Sequence, residues 1–387
     1  MTGAFALRAG TIFDGEAWHR AAALIVRDGL VESVVEASRI PAGLPVAEHG
    51  GDMLAPGFVD LQVNGGGGVM LNDRQDAGAI RTICEAHARF GTTALLATLI
   101  TDTPENTAAA IRAGAQASRD GVPGFLGLHL EGPHLWKSRK GAHDPALIRL
   151  MTDADLEALV AAGAQMPVLL TTVAPESVDP AQIAALARAG VVVSLGHSDV
   201  GFPKASECAA AGATVVTHLF NAMSQIANRE PGLAGTALAK GALWAGLIAD
   251  GIHVDPVTIG IALRAKTGPA RIFLVTDAMS TIGTDMTSFT LNGRLIKRQG
   301  GRLTLEDGTL AGADLDMISA VRFMHEAIGL ELGEALRMAS LYPAQAVGVD
   351  ASHGRLAKGA RADIVSLSDG LDVSSVWIGG RKAFAAA

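Results

Sequence analysis

Phe125-Leu126-Gly127-Leu128-His129-Leu130-Glu131 is a short apolar run that ends with a histidine and a carboxylate two residues apart. Side chains two apart on a strand share a face, so His129 and Glu131 point the same way. A run this short and this apolar suits a strand buried on both faces, as in a parallel sheet covered by helices. Comparable runs precede it at Phe58–Val63 and Ala94–Thr98. Others follow at Val168–Val173, Val191–Leu195, Thr214–Thr217, Ala245–Ala249 and Ile272–Thr276. Helical patterns fill most of the intervals: Asp76–Phe90, Thr103–Ala117, Asp153–Ala162, Pro180–Ala189, Pro203–Ala211 and Pro256–Lys266. Thr103-Pro104 opens the second of these as an N-cap followed by proline in the first turn. Eight buried strands alternating with helices predict an α/β fold, a (β/α)8 TIM-like barrel. A doubly wound sheet would need a G-x-G-x-x-G turn after its first strand. Asn64-Gly65-Gly66-Gly67-Gly68 lacks that spacing in context.

The two ends of the chain have another texture. Phe5–Leu7, Thr11–Phe13, Ala22–Val26 and Leu30–Val35 are short β-type runs broken by Asp14-Gly15 and Asp28-Gly29. Asp363–Leu367, Val373–Ile378 and Arg381–Phe384 return to the same pattern. The expected organisation is a small β-sandwich domain built from residues 1–53 and 356–387, enclosing a barrel over residues 54–355.

Composition narrows the partners. A net charge of −8 with no Lys/Arg cluster disfavours nucleic acid and acidic membranes, so an anionic substrate must be recognised locally. No stretch of about 18 apolar residues occurs, and the N-terminus lacks a basic segment before an apolar one. Two cysteines, Cys84 and Cys208, are too few for a disulfide framework. The expected protein is soluble and cytoplasmic.

A (β/α)8 barrel places its chemistry where the strands end. The ends here carry Gln62 and Asn64, Thr98, His129 and Glu131, His197, His218, His253 and Asp277. A backbone-bonded histidine or a salt-bridged carboxylate would explain any one of these alone. Glu131, His197 and His218 together form a His2Glu set from three strands, which leaves a fourth metal position for water. Asp277, in Leu274-Val275-Thr276-Asp277-Ala278, is placed to move a proton beside such an ion. His19, His49, His87, His325 and His353 fall in the small domain, helices or a turn, where ordinary structural roles suffice.

These residues resemble a known family. Pro56-Gly57-Phe58-Val59-Asp60 is similar to the opening of amidohydrolase superfamily barrels. His129-Leu130-Glu131-Gly132-Pro133, Lys140-Gly141-Ala142-His143, Leu195-Gly196-His197-Ser198 and Thr217-His218-Leu219-Phe220-Asn221-Ala222-Met223 resemble the N-acetylglucosamine-6-phosphate deacetylase family in particular. So do Arg229-Glu230-Pro231-Gly232, Asp250-Gly251-Ile252-His253 and Thr276-Asp277-Ala278. Many superfamily members carry His-x-His at the first strand end, whereas this chain has Gln62-x-Asn64, and neutral amides are poor zinc ligands.

The resemblance implies one divalent metal ion per subunit, zinc with iron, manganese or cobalt as alternatives, held by Glu131, His197 and His218. It implies hydrolysis of the acetamido group of N-acetyl-D-glucosamine 6-phosphate to D-glucosamine 6-phosphate and acetate. In that scheme Asp277 carries the proton and His143 or His253 polarises the carbonyl. Ala142, His143, Asn221, Ala222, Asp250, His253, Leu310, Ala311 and Gly312 are expected to line the substrate pocket. Arg229 is the candidate for the phosphate, because guanidinium matches phosphate in a fork geometry. The partner is a small amino-sugar phosphate, and the family is expected to form homodimers with some phosphate contacts crossing the interface. Rival functions are the N-acetylgalactosamine 6-phosphate deacetylase, differing at one hydroxyl, a cyclic-amide hydrolase, and a non-catalytic interaction protein of the same fold.

Overall fold

A computed structural model describes residues 3–386. Eight strands form one parallel sheet, each hydrogen-bonded to the next in chain order. They are Phe58–Val63, Thr92–Ile100, Phe125–Glu131, Val168–Val173, Val192–Leu195, Ala213–Val216, Trp244–Leu247 and Ile272–Leu274. The helices that follow them in turn are Ala77–Ala88, Pro104–Arg119, Asp153–Gly163, Pro180–Arg188, Phe202–Ala211, Gly232–Ala239, Pro256–Ala265 and Met317–Glu326. The arrangement is the expected barrel with its outer ring of helices. Thr103 caps its helix as expected, its hydroxyl accepting from Asn106 N, with Pro104 in the first turn. Among the described residues no helix is long and apolar enough to cross a membrane.

Two of the eight helices were not anticipated from sequence. Gly232–Ala239 is buried on almost every side, so its apolar residues carry no amphipathic period to detect. Met317–Glu326 follows the eighth strand only after a long insertion that carries a four-stranded antiparallel sheet: Ser288–Leu291, Arg294–Gln299, Arg302–Thr304 and Leu310–Ala313. That sheet packs Phe289, Leu291 and Ile296 against Met70, Ile100 and Met279, and so forms a wall beside the barrel mouth.

Strands from both ends of the chain meet in one seven-stranded sheet. Its order is Arg381–Ala385, Val373–Ile378, Ile364–Leu367, Val46–Pro56, Ala4–Phe13, Trp18–Arg27 and Leu30–Glu36. The two ends join where Val46–Pro56 runs antiparallel to Ile364–Leu367. Leu7, Ile12, Leu24, Leu54, Ile364 and Trp377 give this sheet a core of its own.

The barrel has a seam. Among the described residues no regular ladder joins its first and eighth strands, and the isolated Val63–Ala278 bridge lies just past the end of the eighth. Single hydrogen bonds do the rest: Asp277 N donates to Gln62 O (2.9 Å) and Asn64 N to Ala278 O (2.9 Å). The buried Asp60 side chain adds bonds from Thr276 N (3.2 Å) and Thr276 Oγ1 (2.6 Å).

Gly127 shows how closely neighbouring strands approach. A Cβ there would lie 1.8 Å from the backbone oxygen of Val168, its partner on the next strand. Backbone cannot swing aside as a side chain can, so overpacking should reach the upper end of its usual range, about 3 kcal/mol. Gly127→Ala is therefore expected to lower Tm by about 4 °C. Thermal unfolding of the purified variant checks this; an unchanged Tm would contradict the packing.

Candidate active site

Each strand end delivers its side chain by a different local device. Glu131 closes the third strand and is buried. His197, His218 and Asp277 each follow a strand by one to three residues, with φ of +48°, +26° and +52°. Left-handed backbone at a non-glycine costs about 1–3 kcal/mol and persists only where its surroundings over-determine it. Here they do. Trp136 N donates to His197 O (3.0 Å), and Leu219 N, just after His218, donates to Gly246 O (2.7 Å). Asp277 is held on both sides, its N–H bonded to Gln62 O and its carbonyl accepting from Ala313 N (2.9 Å). These turns aim the three side chains into the barrel mouth.

Glu131 Oε1 lies 3.2 Å from His197 Nε2 and 3.1 Å from His218 Nε2, and the two nitrogens are 3.0 Å apart. His197 Nδ1 donates to Arg139 O (2.7 Å), so its Nε2 turns a lone pair inward. Two imidazole nitrogens and a carboxylate oxygen lie this close together, and with the imidazoles neutral and their Nε2 lone pairs turned inward they could hold a cation between them. This donor set fits a divalent ion of the zinc type. Burial alone would raise the Glu131 carboxyl, but hydrogen bonds from His197 and His218 outweigh it and hold the group well below its ordinary range. For His218, burial acts downward, and Glu131 overrides it and raises the group.

His143 stands beside this trio, its Nε2 3.7 Å from Glu131 Oε2 and its ring edge-on to His197. Donor atoms of Glu131, His143 and His197 all lie within 4.8 Å of one another, so His143 also belongs to the metal-capable cluster. Its Nδ1 accepts from Thr101 N (3.3 Å) and lies 2.8 Å from Thr101 Oγ1, which places the ring proton on Nε2. Burial and the neighbouring His197 push it down to about 3, so it is a neutral N–H donor. His253 has the opposite tautomer, since Nδ1 donates to Asp250 Oδ2 (2.6 Å). Asp250 in turn accepts from Ile252 N and His253 N (both 2.8 Å) and acts as the holder of His253.

The amides at the first strand end are donors here. Gln62 Nε2 bonds Glu131 Oε1 (3.1 Å), and Asn64 Nδ2 bonds Asp277 Oδ1 (2.7 Å). Burial and the charge of Glu131 push Asp277 up to about 6, against the opposing pull of His218 and Asn64. His129 shares the strand with Glu131 but bonds elsewhere, to Leu61 O (3.1 Å) and Thr172 Oγ1 (2.7 Å).

The cleft above these groups holds about 250 Å3. Of the residues expected from sequence, Glu131, Ala142, His143, His197, His218, Asn221, Ala222, His253, Asp277, Leu310 and Gly312 line it. Ala311, between two lining residues on a strand, points into the packing behind the wall, as strand alternation requires. Asp250 lies one layer back, behind His253. Arg229 is exposed and outside its own chain's cleft. Glu230 does not pair with it; its carboxylate instead accepts from Phe202 N (2.7 Å) and Gly232 N (3.0 Å). Ile100, Ile248, Met279, Leu291 and Thr309 also line the cleft and were not anticipated. Apolar residues carry no chemical signature, and the wall strands looked ordinary. Thr101, which sets the His143 tautomer, could have been suspected from its place at the second strand end.

A parallel barrel that gathers a buried carboxylate, imidazoles and a second carboxylate at one mouth is the scaffold of a hydrolase whose chemistry uses a metal ion. The chain belongs to the amidohydrolase family, whose sequence profile matches residues 53–383. A relative from Shewanella sp. (strain ANA-3), named N-acetylgalactosamine-6-phosphate deacetylase, is 43% identical over 86% of this chain and 84% of its own. The human N-acetylglucosamine-6-phosphate deacetylase is 36% identical over 87% of this chain and 85% of its own. The crystal structure of N-acetylglucosamine-6-phosphate deacetylase from Pasteurella multocida superposes with a TM-score of 0.95 at 30% identity, covering 99% of this chain and 100% of that one.

Ion binding tests the cluster directly. Glu131→Gln, His197→Ala and His218→Ala are each expected to weaken divalent-ion binding at least tenfold by calorimetric titration, whereas His325→Ala, on an outer helix, leaves it intact. Equal affinity in all four variants would place the ion elsewhere.

Proposed function

We propose that this chain hydrolyses the acetamido group of N-acetyl-D-glucosamine 6-phosphate, giving D-glucosamine 6-phosphate and acetate. We further propose one divalent ion per subunit, zinc first among candidates, held by Glu131, His197 and His218. The observation that carries the function is the convergence of those three groups with Asp277 and the neutral His143 in a single cleft. The names of relatives spanning most of the chain supply the substrate class. A single ion is supported by Gln62 and Asn64, which present N–H groups to Glu131 and Asp277 where a second ion would need lone pairs.

When bound, the ion supplies Lewis-acid polarisation and lowers the pKa of the attacking water. The chain's own residues do the remainder. Asp277 accepts the water proton as the acetamido carbonyl is attacked, then returns it to the departing nitrogen. His143 offers its Nε2–H to the developing oxyanion, a role its Thr101-fixed tautomer suits better than that of His253. Asn221, Ala222, His253, Ala142 and the strand residues Leu310 and Gly312 line the space for the sugar.

No lysine or arginine lines the cleft. Arg294, bonded to the carbonyl of the cleft-lining Ala142, is a cation of the same chain beside it. The exposed Arg229 is proposed to add a second from another copy, in a homodimer. The two buried thiols, Cys84 and Cys208, suit a cytoplasmic protein. A second substrate, N-acetyl-D-galactosamine 6-phosphate, is favoured by the name of the 43% identical relative. Offering both epimers, with amine release measured, decides between them; release from neither ends the deacetylase assignment.

Asp277→Asn keeps a hydrogen bond but cannot carry a proton, so kcat should fall by about 10²–10⁴-fold with the ion retained. The base must be ionised to act, and its carboxyl is raised to about 6. Wild-type kcat/KM should therefore climb as pH rises through that region and fall below it, the apparent value belonging to the coupled cluster. A pH-independent rate from 5 to 8, or an Asp277→Asn variant with a tenth of wild-type kcat, would move the proton carrier elsewhere.

Arg229→Ala should cost about 10- to 150-fold in kcat/KM on the 6-phosphate, the worth of a charge-assisted bond. It should change little on the unphosphorylated sugar. The ratio of the two kcat/KM values at fixed ionic strength is the measurement; a large wild-type ratio unmoved by the substitution would make Arg229 merely structural.

A further inference from the structure

Asp60 is a buried carboxylate that the proposed chemistry does not use. It sits in mid-strand on the first barrel strand, facing the eighth across the seam. Burial pushes it up to about 7, and three donors to its oxygens oppose that shift. Thr276 Oγ1 donates to Oδ2 (2.6 Å), while Thr276 N and Gln62 N both donate to Oδ1 (3.2 Å each). The two residues it grips adjoin the chemistry: Thr276 precedes Asp277, and Gln62 holds Glu131. The Thr276 hydroxyl also accepts from Ala278 N (3.3 Å), so one side chain touches both flanks of Asp277.

A desolvated carboxylate is costly, and apolar residues of similar size could fill the seam more cheaply. What the carboxylate provides is direction. Asp277 has φ of +52°, left-handed backbone that aspartate tolerates better than most residues but that still needs its surroundings to hold it. The eighth strand ends at Leu274, before Asp277, and no regular ladder binds it to the first. Past that strand the path of residues 275–278 rests on single backbone bonds, Asp277 N to Gln62 O and Ala313 N to Asp277 O among them, and on the side-chain bonds between Asp60 and Thr276.

We infer that Asp60 and Thr276 form a brace across the barrel seam that sets the left-handed turn at Asp277 and so aims its carboxylate at the reacting carbonyl. Asp60 is a positioning residue in this scheme, acting through Thr276 and touching no substrate. The brace rests on Asp277 being the proton carrier proposed above.

The test uses metal-loaded enzyme and the acetylated hexosamine 6-phosphates. Thr276→Val is nearly isosteric and removes the hydroxyl; Asp60→Asn keeps the shape but not the second acceptor. Misplacement of a reacting group by about 1 Å can cost about 100-fold. Each variant should therefore lose about 10- to 100-fold in kcat, with KM and divalent-ion affinity unchanged. The double variant should lose little more than either single one, and Thr276→Ser should recover most of what Thr276→Val loses. A merely structural pair would instead lower Tm while kcat per folded, ion-loaded molecule stayed at the wild-type value, and that result overturns the brace. Crystal structures of the variants give a second readout that does not depend on folding yield alone: residue 277 should leave the left-handed region in Thr276→Val, and an unchanged φ there also overturns the brace. Asp277→Asn, run alongside, separates the two failures. If it retains activity, the proton-carrier assignment falls and the brace with it. If it collapses kcat while the brace variants do not, only the brace falls.

Discussion

Glu131 is a carboxylate taken almost completely out of water at the floor of a cleft, and most of the polar architecture compensates it. An uncompensated buried charge costs several kcal/mol. Here one oxygen receives Gln62 Nε2 and faces two imidazole nitrogens at 3.1 and 3.2 Å. The histidines are themselves constrained, His197 by the Arg139 carbonyl. Below them His129, Thr172, Thr217 and Ser194 are linked by bonds of 2.6–2.7 Å across successive strands. This layer pairs its own polar groups inside the barrel, while His218 Nδ1 and Asn64 Oδ1 at the site have no hydrogen-bond partner among the described residues. The proposed ion would add to the compensation of Glu131.

The compensation works only if the side chains arrive from the right directions, and regular strands cannot supply all of them. A strand presents alternate residues to one face, which suffices for Glu131. His197, His218 and Asp277 come from turns beyond the last ladder bonds, in backbone that none of them would choose alone. The strain is sustained by hydrogen bonds from adjoining segments. Pre-set groups need no reorganisation when charge develops, which is where such a site gains its rate.

The four-stranded insertion converts an open barrel end into an enclosed cleft. It contributes Leu291, Thr309, Leu310 and Gly312 to the lining, and Arg294 bonds the Ala142 carbonyl beside His143. One wall is thus tied to the segment that carries His143. Within a chain of net charge −8, recognition of an anion depends on local geometry, with Arg294 beside the cleft, more than on the overall field.

Much of this was legible in the linear order of residues. Buried parallel strands are short and apolar, so the eight runs stood out and their polar ends announced Glu131, His197, His218 and Asp277. Those are local signals, carried by composition and by the period of a strand. Gly232–Ala239 escaped because a helix buried all round has no period, and the wall of the cleft because its strands resemble any surface hairpin. The tautomer of His143 and the grip of Asp60 on Thr276 had no local signal at all. Each depends on an atom brought from a distant part of the chain: Thr101 for His143, and the far edge of the barrel for Asp60. A chain order can name the groups able to bind, donate or accept. Which group meets which is settled only when the barrel closes, because hydrogen bonds act over about 3 Å and that closure alone sets those distances.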